Sequence, residues 1–307
     1  MNKNFWNSPS SDVENDPFAA VVFAGGGCRC FWQAGFWSVV SEAIPAPRVV
    51  LGVSAGVAFA CVALLGRGRQ VLEDFKGRAT ANERNFYPGH FGRVSPVFPH
   101  EEIYRATITT GLRDGDFERL QQGPDLRILL ARAPHGLGGR SSFLLGGVAY
   151  ALDKYEERIH SRWGSLLGFG SELISVRDCS TQQELVELIL QSSCTPPLLP
   201  FYRRDDCIVF DGGLVDNAPA DMVPEGSSTL VLLTRQYSEV QIPDVPGRTY
   251  VCPSSPIPVV KWDYTSPELV QQTWDLGCSD GEAFASRYRS GTAALEREAA
   301  GNVAVSA

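Results

Sequence analysis

Short apolar runs of strand length alternate along the chain with stretches in which apolar residues recur at helical spacing. This alternation is typical of a parallel sheet with helices packed on it. Residues 19–24 read as a buried strand, followed by the glycines 25–27 and by a helix over residues 31–44. Residues 48–51 and 55–65 then repeat the order of strand and helix. We therefore predict two strand, turn and helix units near the start of the chain.

Later in the chain, further apolar runs of strand length precede polar or glycine-rich turns. They cover residues 126–131, 172–176, 207–210 and 229–233. Thr181 and Glu184 have the spacing of a capping box, and the apolar residues after them lie on one helical face. This predicts a helix over residues 180–192. The same spacing at Thr265 and Glu268 predicts a last helix.

The length of 307 residues, 44% of them hydrophobic, is sufficient for one large α/β domain or two small ones. We predict a single domain over residues 17–298. Within it, residues 67–124 are richer in charge, glycine and aromatic side chains, and we interpret them as a cap or insertion over the sheet. Residues 1–16 are polar and are predicted to be a flexible tail, as are residues 299–307 at the other end.

The formal net charge is -8, with acidic and basic residues mixed along the chain. No basic stripe is present to neutralise a phosphate backbone, so we do not expect nucleic acid as a partner. No uncharged apolar segment reaches the roughly 18 residues that a membrane span requires. Any contact with a membrane is therefore expected to be peripheral. Because the first residues lack the apolar run of a secretion signal, we expect a cytoplasmic location.

The eight cysteines are scattered over the chain, several of them in apolar contexts, which favours buried and reduced thiols. Cys28 and Cys30 have only Arg29 between them. A structural zinc site usually has a wider spacing and a second matching pair of ligands elsewhere. The sequence therefore does not predict a metal site.

Residues 52–56 read Gly-Val-Ser-Ala-Gly and lie between a predicted strand and a predicted helix. At such a sharp turn the serine takes a strained backbone, and small neighbours prevent a clash, so its hydroxyl is presented above the sheet. The letters alone are a weak signal, since the two glycines are also explained by close packing of strand and helix. The position between strand and helix favours Ser54 as a nucleophile.

A serine hydroxyl needs a base within hydrogen-bond reach. The histidines are His90, His100, His135 and His160, so none follows the serine late enough for the α/β-hydrolase order of serine, acid and histidine. We interpret all four as surface or capping residues. Asp211 follows an apolar strand and precedes two glycines, so we expect its carboxylate at the same sheet edge as Ser54. An ordinary Asp-Gly turn is the alternative, and Asp216 is ranked below Asp211 as a structural neighbour.

Acyl transfer also needs donors for the negative oxygen of the tetrahedral intermediate. Gly25, Gly26 and Gly27 follow a buried strand and precede a helix, so their backbone N–H groups can form a concave array. A phosphate cradle is the competing interpretation, but the loop lacks both the Gly-Lys-Ser/Thr ending and the GxGxxG spacing of nucleotide-binding loops. Arg29 adds positive charge beside the loop or braces it through a salt bridge.

The glycine loop with its arginine, the GxSxG sequence and a late Asp-Gly-Gly followed by Asn and Pro occur in this order. Together they resemble the patatin-like phospholipase family. The resemblance extends from about Val21 to the last helix and is weakest over residues 67–126. It implies a three-layer α/β/α fold and hydrolysis of lipid acyl esters without metal or cofactor. Ser54 would be the nucleophile, Asp211 the base of a Ser/Asp dyad, and Gly25, Gly26, Gly27 and Arg29 the oxyanion loop.

Two further segments bear on this resemblance. Residues 192–200, just before the aspartate strand, look like the family's passage of small residues and prolines. Cys30 stands where the family usually has glycine, and a side chain there would narrow the site or shift a donor. Weak activity or a changed substrate preference would follow.

Three functions from different classes remain open on the sequence. The first is a lipid acyl hydrolase of phospholipase A or lysophospholipase type, for which nucleophile, base and oxyanion donors are all present. The second is an acyltransferase or thioesterase that uses the same serine, although Val53 and the missing late histidine count against the acyltransferases of related fold. The third is a catalytically silent scaffold that retains the motifs for packing.

Overall fold

The computed structural model describes residues 17–92 and 95–305, with side chains as far as residue 291. The tail predicted for residues 1–16 lies outside the described residues. The strands are β1 Ala20–Phe23, β2 Val49–Val53, β3 Asp125–Arg132, β4 Gly170–Ser175, β5 Tyr202–Arg204, β6 Cys207–Asp211, β7 Thr229–Leu232 and β8 Arg248–Val251. The α-helices are α1 Phe31–Val40, α2 Ala55–Leu64, α3 Gly68–Ala81, α4 His100–Gly111, α5 Asp116–Gln122, α6 Gly139–Glu156, α7 Trp163–Leu166, α8 Gln182–Ser192 and α9 Pro267–Val305.

The strands form one mixed sheet in the order β5-β6-β3-β2-β1-β7-β8, and β4 pairs with β3 off this path. The pairs within β3-β2-β1-β7-β8 are parallel, whereas β4 and β6 both run antiparallel to β3. Every residue of β1 is buried, as expected for a central strand covered on both faces. The predicted α/β fold with a mostly parallel sheet is confirmed.

Side chains alternate between the two faces of the sheet, and this alternation divides the core. Val21 and Phe23 of β1 belong to the larger cluster, which α1, α2, α8 and α9 complete. Val22 and Leu51 belong to a smaller cluster on the opposite face. On that opposite face, beside the end of β3, α6 and α7 cover a third cluster around Leu129. The helical layer on the face of the larger cluster is therefore more extensive than the layer on the opposite face, and α6 belongs to the smaller layer.

The predicted strands correspond to β1, β2, β3, β4, β6 and β7, whereas the edge strands β5 and β8 were not predicted. Residues 67–124 form α3, α4 and α5, whose apolar side chains join the larger core cluster with those of α1 and α2. Thr181 accepts a hydrogen bond from the Glu184 N–H at 3.1 Å at the start of α8. The last helix, predicted from Thr265 and Glu268, is present as α9 and begins at Pro267, and the Thr265 hydroxyl donates to Asp263 at 2.6 Å.

Within the ranges that the structure covers, no helix is both long enough and apolar enough to cross a membrane.

Candidate active site

Ser54 lies at the tight bend between β2 and α2, with φ 55° and ψ -136°, outside the regions that residues other than glycine favour. Gly52 and Gly56 make this bend feasible. A Cβ at Gly52 would lie 2.7 Å from the Cα of Val57, and one at Gly56 would lie 2.4 Å from the carbonyl oxygen of Phe23. The glycines therefore permit close packing, as one alternative of the sequence analysis expected, and that packing fixes the strained Ser54 backbone at the start of α2.

Asp211 reaches Ser54 through the mixed part of the sheet. Strand β4 occupies one edge of β3, so β2 and β6 share the other edge and approach each other end to end. Val53 at the end of β2 pairs with Leu129, and Asp211 at the end of β6 pairs with the next residue, Leu130. The Ser54 hydroxyl donates to Asp211 Oδ2 at 2.6 Å. The sequence analysis expected Ser54 and Asp211 to meet because both strands would run in the same direction. Instead, β2 runs parallel to β3 and β6 runs antiparallel to it, so the ends of β2 and β6 point toward each other.

The Asp211 carboxylate is held on both oxygens, because Oδ1 accepts the Gly213 N–H at 2.8 Å. Removal of the carboxylate from bulk water raises its pKa above the ordinary value. The hydrogen bonds from Ser54 and Gly213 and the positive charge of Lys261 oppose this rise. A hydroxyl oxygen this close to a carboxylate oxygen is in the range of charge-assisted hydrogen bonds. Asp211 is therefore positioned to take the proton of Ser54 and is more basic than an exposed aspartate.

The segment that precedes β6 braces both residues. Ser192 accepts the Ser54 backbone N–H at 3.0 Å and donates its own hydroxyl to the Leu129 carbonyl at 2.7 Å. The Asp211 backbone N–H donates to the carbonyl of Cys194 at 2.9 Å. The small residues of this segment thus allow it to pass close behind the nucleophile and the carboxylate.

The glycine loop offers fewer donors than the sequence predicted. The Gly25 N–H donates to the Asn217 carbonyl at 3.1 Å, and the Arg29 N–H donates to the Gly26 carbonyl at 3.2 Å. The N–H groups of Gly26 and Gly27 have no hydrogen-bond partner among the described residues, and both glycines line the same cavity as Ser54. Of the residues predicted for an oxyanion loop, Gly25, Gly26, Gly27 and Arg29, only Gly26 and Gly27 therefore have N–H groups that are not engaged by another described residue.

The side chains that follow the glycines point away from the cavity. Arg29 does not line it, and its buried Nε has no hydrogen-bond partner in the described part of the chain. Cys30 is fully buried, with its Sγ 3.7 Å from the Ala24 carbonyl oxygen. Burial raises the pKa of the Cys30 thiol, which is therefore neutral at ordinary pH. The expectation that Cys30 narrows the site is wrong, because its side chain turns into the core.

The Ser54 cavity, as we call the space above Ser54 and Asp211, has a volume of about 200 Å³. Its floor includes Ser54, Asp211 and the two free glycine N–H groups. Its sides are mostly apolar or aromatic and are formed by Phe143, Tyr150, Pro196, Phe210, Leu214 and Trp262. A mostly apolar cleft with few polar groups is typical of sites for small organic ligands.

None of the four histidines lines the Ser54 cavity. His160 Nδ1 lies 3.2 Å from Asp216 Oδ1, and its Nε2 lies 2.9 Å from the Tyr250 hydroxyl oxygen. Asp216 thus binds a histidine in a neighbouring cluster and does not contact Ser54. His100, expected to be a surface or capping residue, is the first residue of α4 and is buried, with its Nε2 3.0 Å from the Trp262 carbonyl oxygen.

Three features of the site were not found from the sequence. Lys261 lines the Ser54 cavity, with its Nζ 5.8 Å from the centre of the Tyr150 ring. Asn217 binds Gly25 with both its backbone carbonyl and, at 3.3 Å, its side-chain amide. Helix α6 supplies one side of the cavity. Only Asn217 had a signal in the sequence, since it follows the Asp-Gly-Gly turn closely.

The described residues contain no group of three or more His, Cys, Asp or Glu side chains arranged to hold a metal ion. All eight cysteines are free, and six of them are buried.

Comparisons with known proteins identify the family. The family model described as patatin-like phospholipase matches residues 21–224, which is more than half of the 307 residues. The crystal structure of VipD from Legionella pneumophila is similar with a TM-score of 0.44 and 11% sequence identity, over 94% of this chain and 71% of that one. No curated protein sequence matches the chain. The matched residues include the glycine loop, the Ser54 bend and the Asp211 turn, and the chain belongs to the patatin-like phospholipase family.

Proposed function

We propose that the protein hydrolyses acyl esters of lipids, as a phospholipase A or lysophospholipase, with Ser54 as the nucleophile and Asp211 as its base. The observation that carries this proposal is the hydrogen bond of 2.6 Å from the Ser54 hydroxyl to Asp211 Oδ2 beneath an apolar cavity. Membership of the patatin-like phospholipase family supports lipid acyl hydrolysis in general.

In the first half of the reaction, Ser54 Oγ attacks the ester carbonyl carbon while its proton passes to Asp211 Oδ2. The carbonyl oxygen becomes negative and accepts hydrogen bonds from Gly26 and Gly27, whose N–H groups have no other partner among the described residues. The N-terminus of α2 at Ser54 adds positive potential. When the intermediate collapses, the proton on Asp211 passes to the leaving alcohol, and the acyl group remains on Ser54.

In the second half, a water molecule attacks the acyl-enzyme and transfers its proton to Asp211. Collapse of the second intermediate returns that proton to Ser54 Oγ and releases the fatty acid. One carboxylate therefore serves as base and acid in each half. The raised pKa of Asp211 suits this role, because a carboxylate of higher pKa binds the transferred proton more readily.

The experiment is labelling of the purified protein with a fluorophosphonate probe, together with turnover of phospholipids, lysophospholipids, acylglycerols and acyl thioesters. We expect labelling of the protein, its loss in Ser54→Ala, and release of fatty acid from phospholipid or lysophospholipid. Asp211→Asn removes the base without changing the shape of the side chain, and we expect it to lower kcat by about 10⁴-fold while the fold is retained.

The matched controls are the histidines. His160→Ala and His100→Ala should each retain most of the turnover, since neither lines the Ser54 cavity. Complete loss of turnover in either variant would transfer the role of base away from Asp211. Preferred turnover of thioesters, or transfer to an acceptor other than water, would favour the acyltransferase or thioesterase alternative. If the protein is neither labelled by the probe nor active on any of these substrates, the result would favour the catalytically silent scaffold.

A further inference from the structure

Helix α6 fully buries only small and polar side chains and exposes most of its large apolar ones, although Leu145 is partly buried against the core. The residues that it turns toward the protein are Ser142, Gly146, Ala149 and Asp153. On the outside, Leu144 is 69% exposed, Val148 52% and Tyr155 87%. These three and the exposed Ala151 recur at alternate spacings of four and three residues, so they form one continuous face, which we call the α6 stripe. Single exposed apolar residues are ordinary, but a continuous row of them marks a contact surface.

The α6 stripe is continuous with the Ser54 cavity. Phe143, Gly147 and Tyr150 occupy the next face of the same helix and line that cavity. Phe143 is 38% exposed and Tyr150 51%, so the cavity is open at this side of the helix. A surface covering the stripe would therefore lie directly beside the entrance to Ser54.

The charges on α6 indicate which surface this is. From Gly139 to Tyr155 no carboxylate is exposed, because Asp153 is buried. The charged residues that do face solvent are Arg140 and Lys154, near opposite ends of the stripe. Two glutamates follow Tyr155: Glu156 pairs with Arg158 and Arg162, whereas Glu157 is exposed. Apolar residues flanked by basic ones fit a layer of acyl chains beneath phosphate groups.

We propose that the α6 stripe docks on the surface of a phospholipid aggregate, with Leu144, Val148 and Tyr155 among the acyl chains and Arg140 and Lys154 at the phosphates. Docking in this orientation brings the entrance of the Ser54 cavity to the lipid, so that an acyl ester enters without crossing water. The docking itself follows from the shape and charge of α6, whereas its use for catalysis rests on the proposed function.

The test measures lipid binding separately from hydrolysis. All proteins carry Ser54→Ala, and their binding to vesicles of equal parts phosphatidylcholine and phosphatidylglycerol is measured by co-sedimentation. The test variant combines Leu144→Ser with Val148→Ser. The control combines Val240→Ser with Phe91→Ser, two apolar residues that are 97% and 69% exposed and lie outside α6. We expect the test variant to lose binding by at least about tenfold and the control to bind like the parent.

Equal binding by the test variant and the parent would overturn the proposal, as would a parent that does not bind these vesicles. Circular dichroism and thermal melting establish that the test variant is folded, as expected for two exposed substitutions. Analytical ultracentrifugation without lipid measures whether a second copy of the chain binds to the α6 stripe. A parent dimer that the Leu144→Ser and Val148→Ser changes dissociate would assign the stripe to self-association and overturn the lipid surface.

The two proposals fail in different ways. If the Ser54 protein releases no fatty acid from any lipid, yet the Ser54→Ala parent binds vesicles through the α6 stripe, the proposed function fails and the docking surface stands. If the Ser54 protein hydrolyses a dispersed short-chain ester and vesicle lipid equally well with or without the stripe, the proposed function stands and the docking surface fails.

Discussion

The two sides of the Ser54 cavity are built on different principles. On one side, the glycine loop, the Ser54 bend and the Asp211 turn are packed so closely that a Cβ at several glycines would overlap backbone atoms. On the other side, the side chains that α6 fully buries are small or polar, and its outer face is apolar and exposed. The first arrangement fixes Ser54, in a strained backbone conformation, beside Asp211, whereas the second leaves a surface available for contact. In the proposed reaction, the site would therefore be preorganised where bonds change and open where a lipid approaches.

The same substitution on the two sides should have opposite effects, and this is the largest difference that we expect. Gly27 has φ +57°, and a Cβ there would lie 2.2 Å from the Lys261 carbonyl oxygen. Gly27→Ala should lower the free energy of unfolding by about 2 kcal/mol or more and displace a proposed oxyanion donor. Gly147 lies in the middle of α6 with no atom within 4 Å of a Cβ. Gly147→Ala should raise the free energy of unfolding by about 0.5–1 kcal/mol, through helix propensity.

Urea unfolding of both variants, with hydrolysis measured in parallel, tests this comparison. If Gly27→Ala were as stable and active as the parent, the glycine loop would be less constrained than its contacts indicate. If Gly147→Ala lost stability, α6 would not be the open side of the cavity.

Two neighbouring serines allow a smaller and more specific comparison within the packed side. Ser192 accepts the Ser54 N–H, whereas the Ser193 hydroxyl oxygen lies 3.1 Å from the Tyr104 hydroxyl oxygen. Both serines are buried, so either change to alanine should cost about 1–3 kcal/mol of stability. Only Ser192→Ala leaves the strained Ser54 backbone without its acceptor, and we expect it to lower kcat by about tenfold with little change in KM. Steady-state kinetics with equal loss of kcat in both variants would remove this positioning role from Ser192.

The same contrast explains how far the sequence could be interpreted. Strands such as β1 and the Ser54 bend follow from local rules, since continuous apolar residues and paired glycines leave few alternatives. The direction of β6 does not, because it is seen only in the antiparallel pairing of β6 with β3, a strand distant in sequence. The engagement of the Gly25 N–H by Asn217 is equally non-local. The sequence therefore predicted the sheet and the proximity of Ser54 and Asp211. It did not predict the strand direction that brings them together.

Helix α6 escaped prediction for a different reason. Periodicity locates a helix by assuming that its apolar face is the buried one, and α6 reverses that assumption with Gly146 and Asp153 inside and Leu144 outside. Lys261 lies in the stretch between β8 and α9, where no periodic pattern precedes it. Residues that face a cavity or solvent do not contribute to the periodic pattern of buried apolar residues, so this pattern cannot predict them.

The smallest effect that we expect involves both sides of the cavity, because Lys261 Nζ lies 5.8 Å from the centre of the Tyr150 ring of α6 and its positive charge acts on the Asp211 carboxylate. Burial raises the pKa of Asp211, and the Lys261 charge is the weakest of the three influences that lower it. Asp211 must be ionised to act as a base, so kcat/KM should rise as pH increases through its pKa. Lys261→Met removes an opposing positive charge, so the pKa of Asp211 should rise further and the acid limb should move to higher pH.

Lys261→Arg retains the charge and should keep the acid limb of the parent, and Lys76→Met provides a control at a surface lysine that contacts Glu73 and Gln271. The profiles are measured with a dispersed, uncharged ester, so that binding to a lipid surface does not enter. An acid limb that stays in place in Lys261→Met would mean that water in the open cavity screens this lysine from Asp211. If the acid limb shifts in Lys261→Met but not in Lys261→Arg or Lys76→Met, the charge of Lys261 on the open side of the cavity influences the pKa of Asp211 on the packed side.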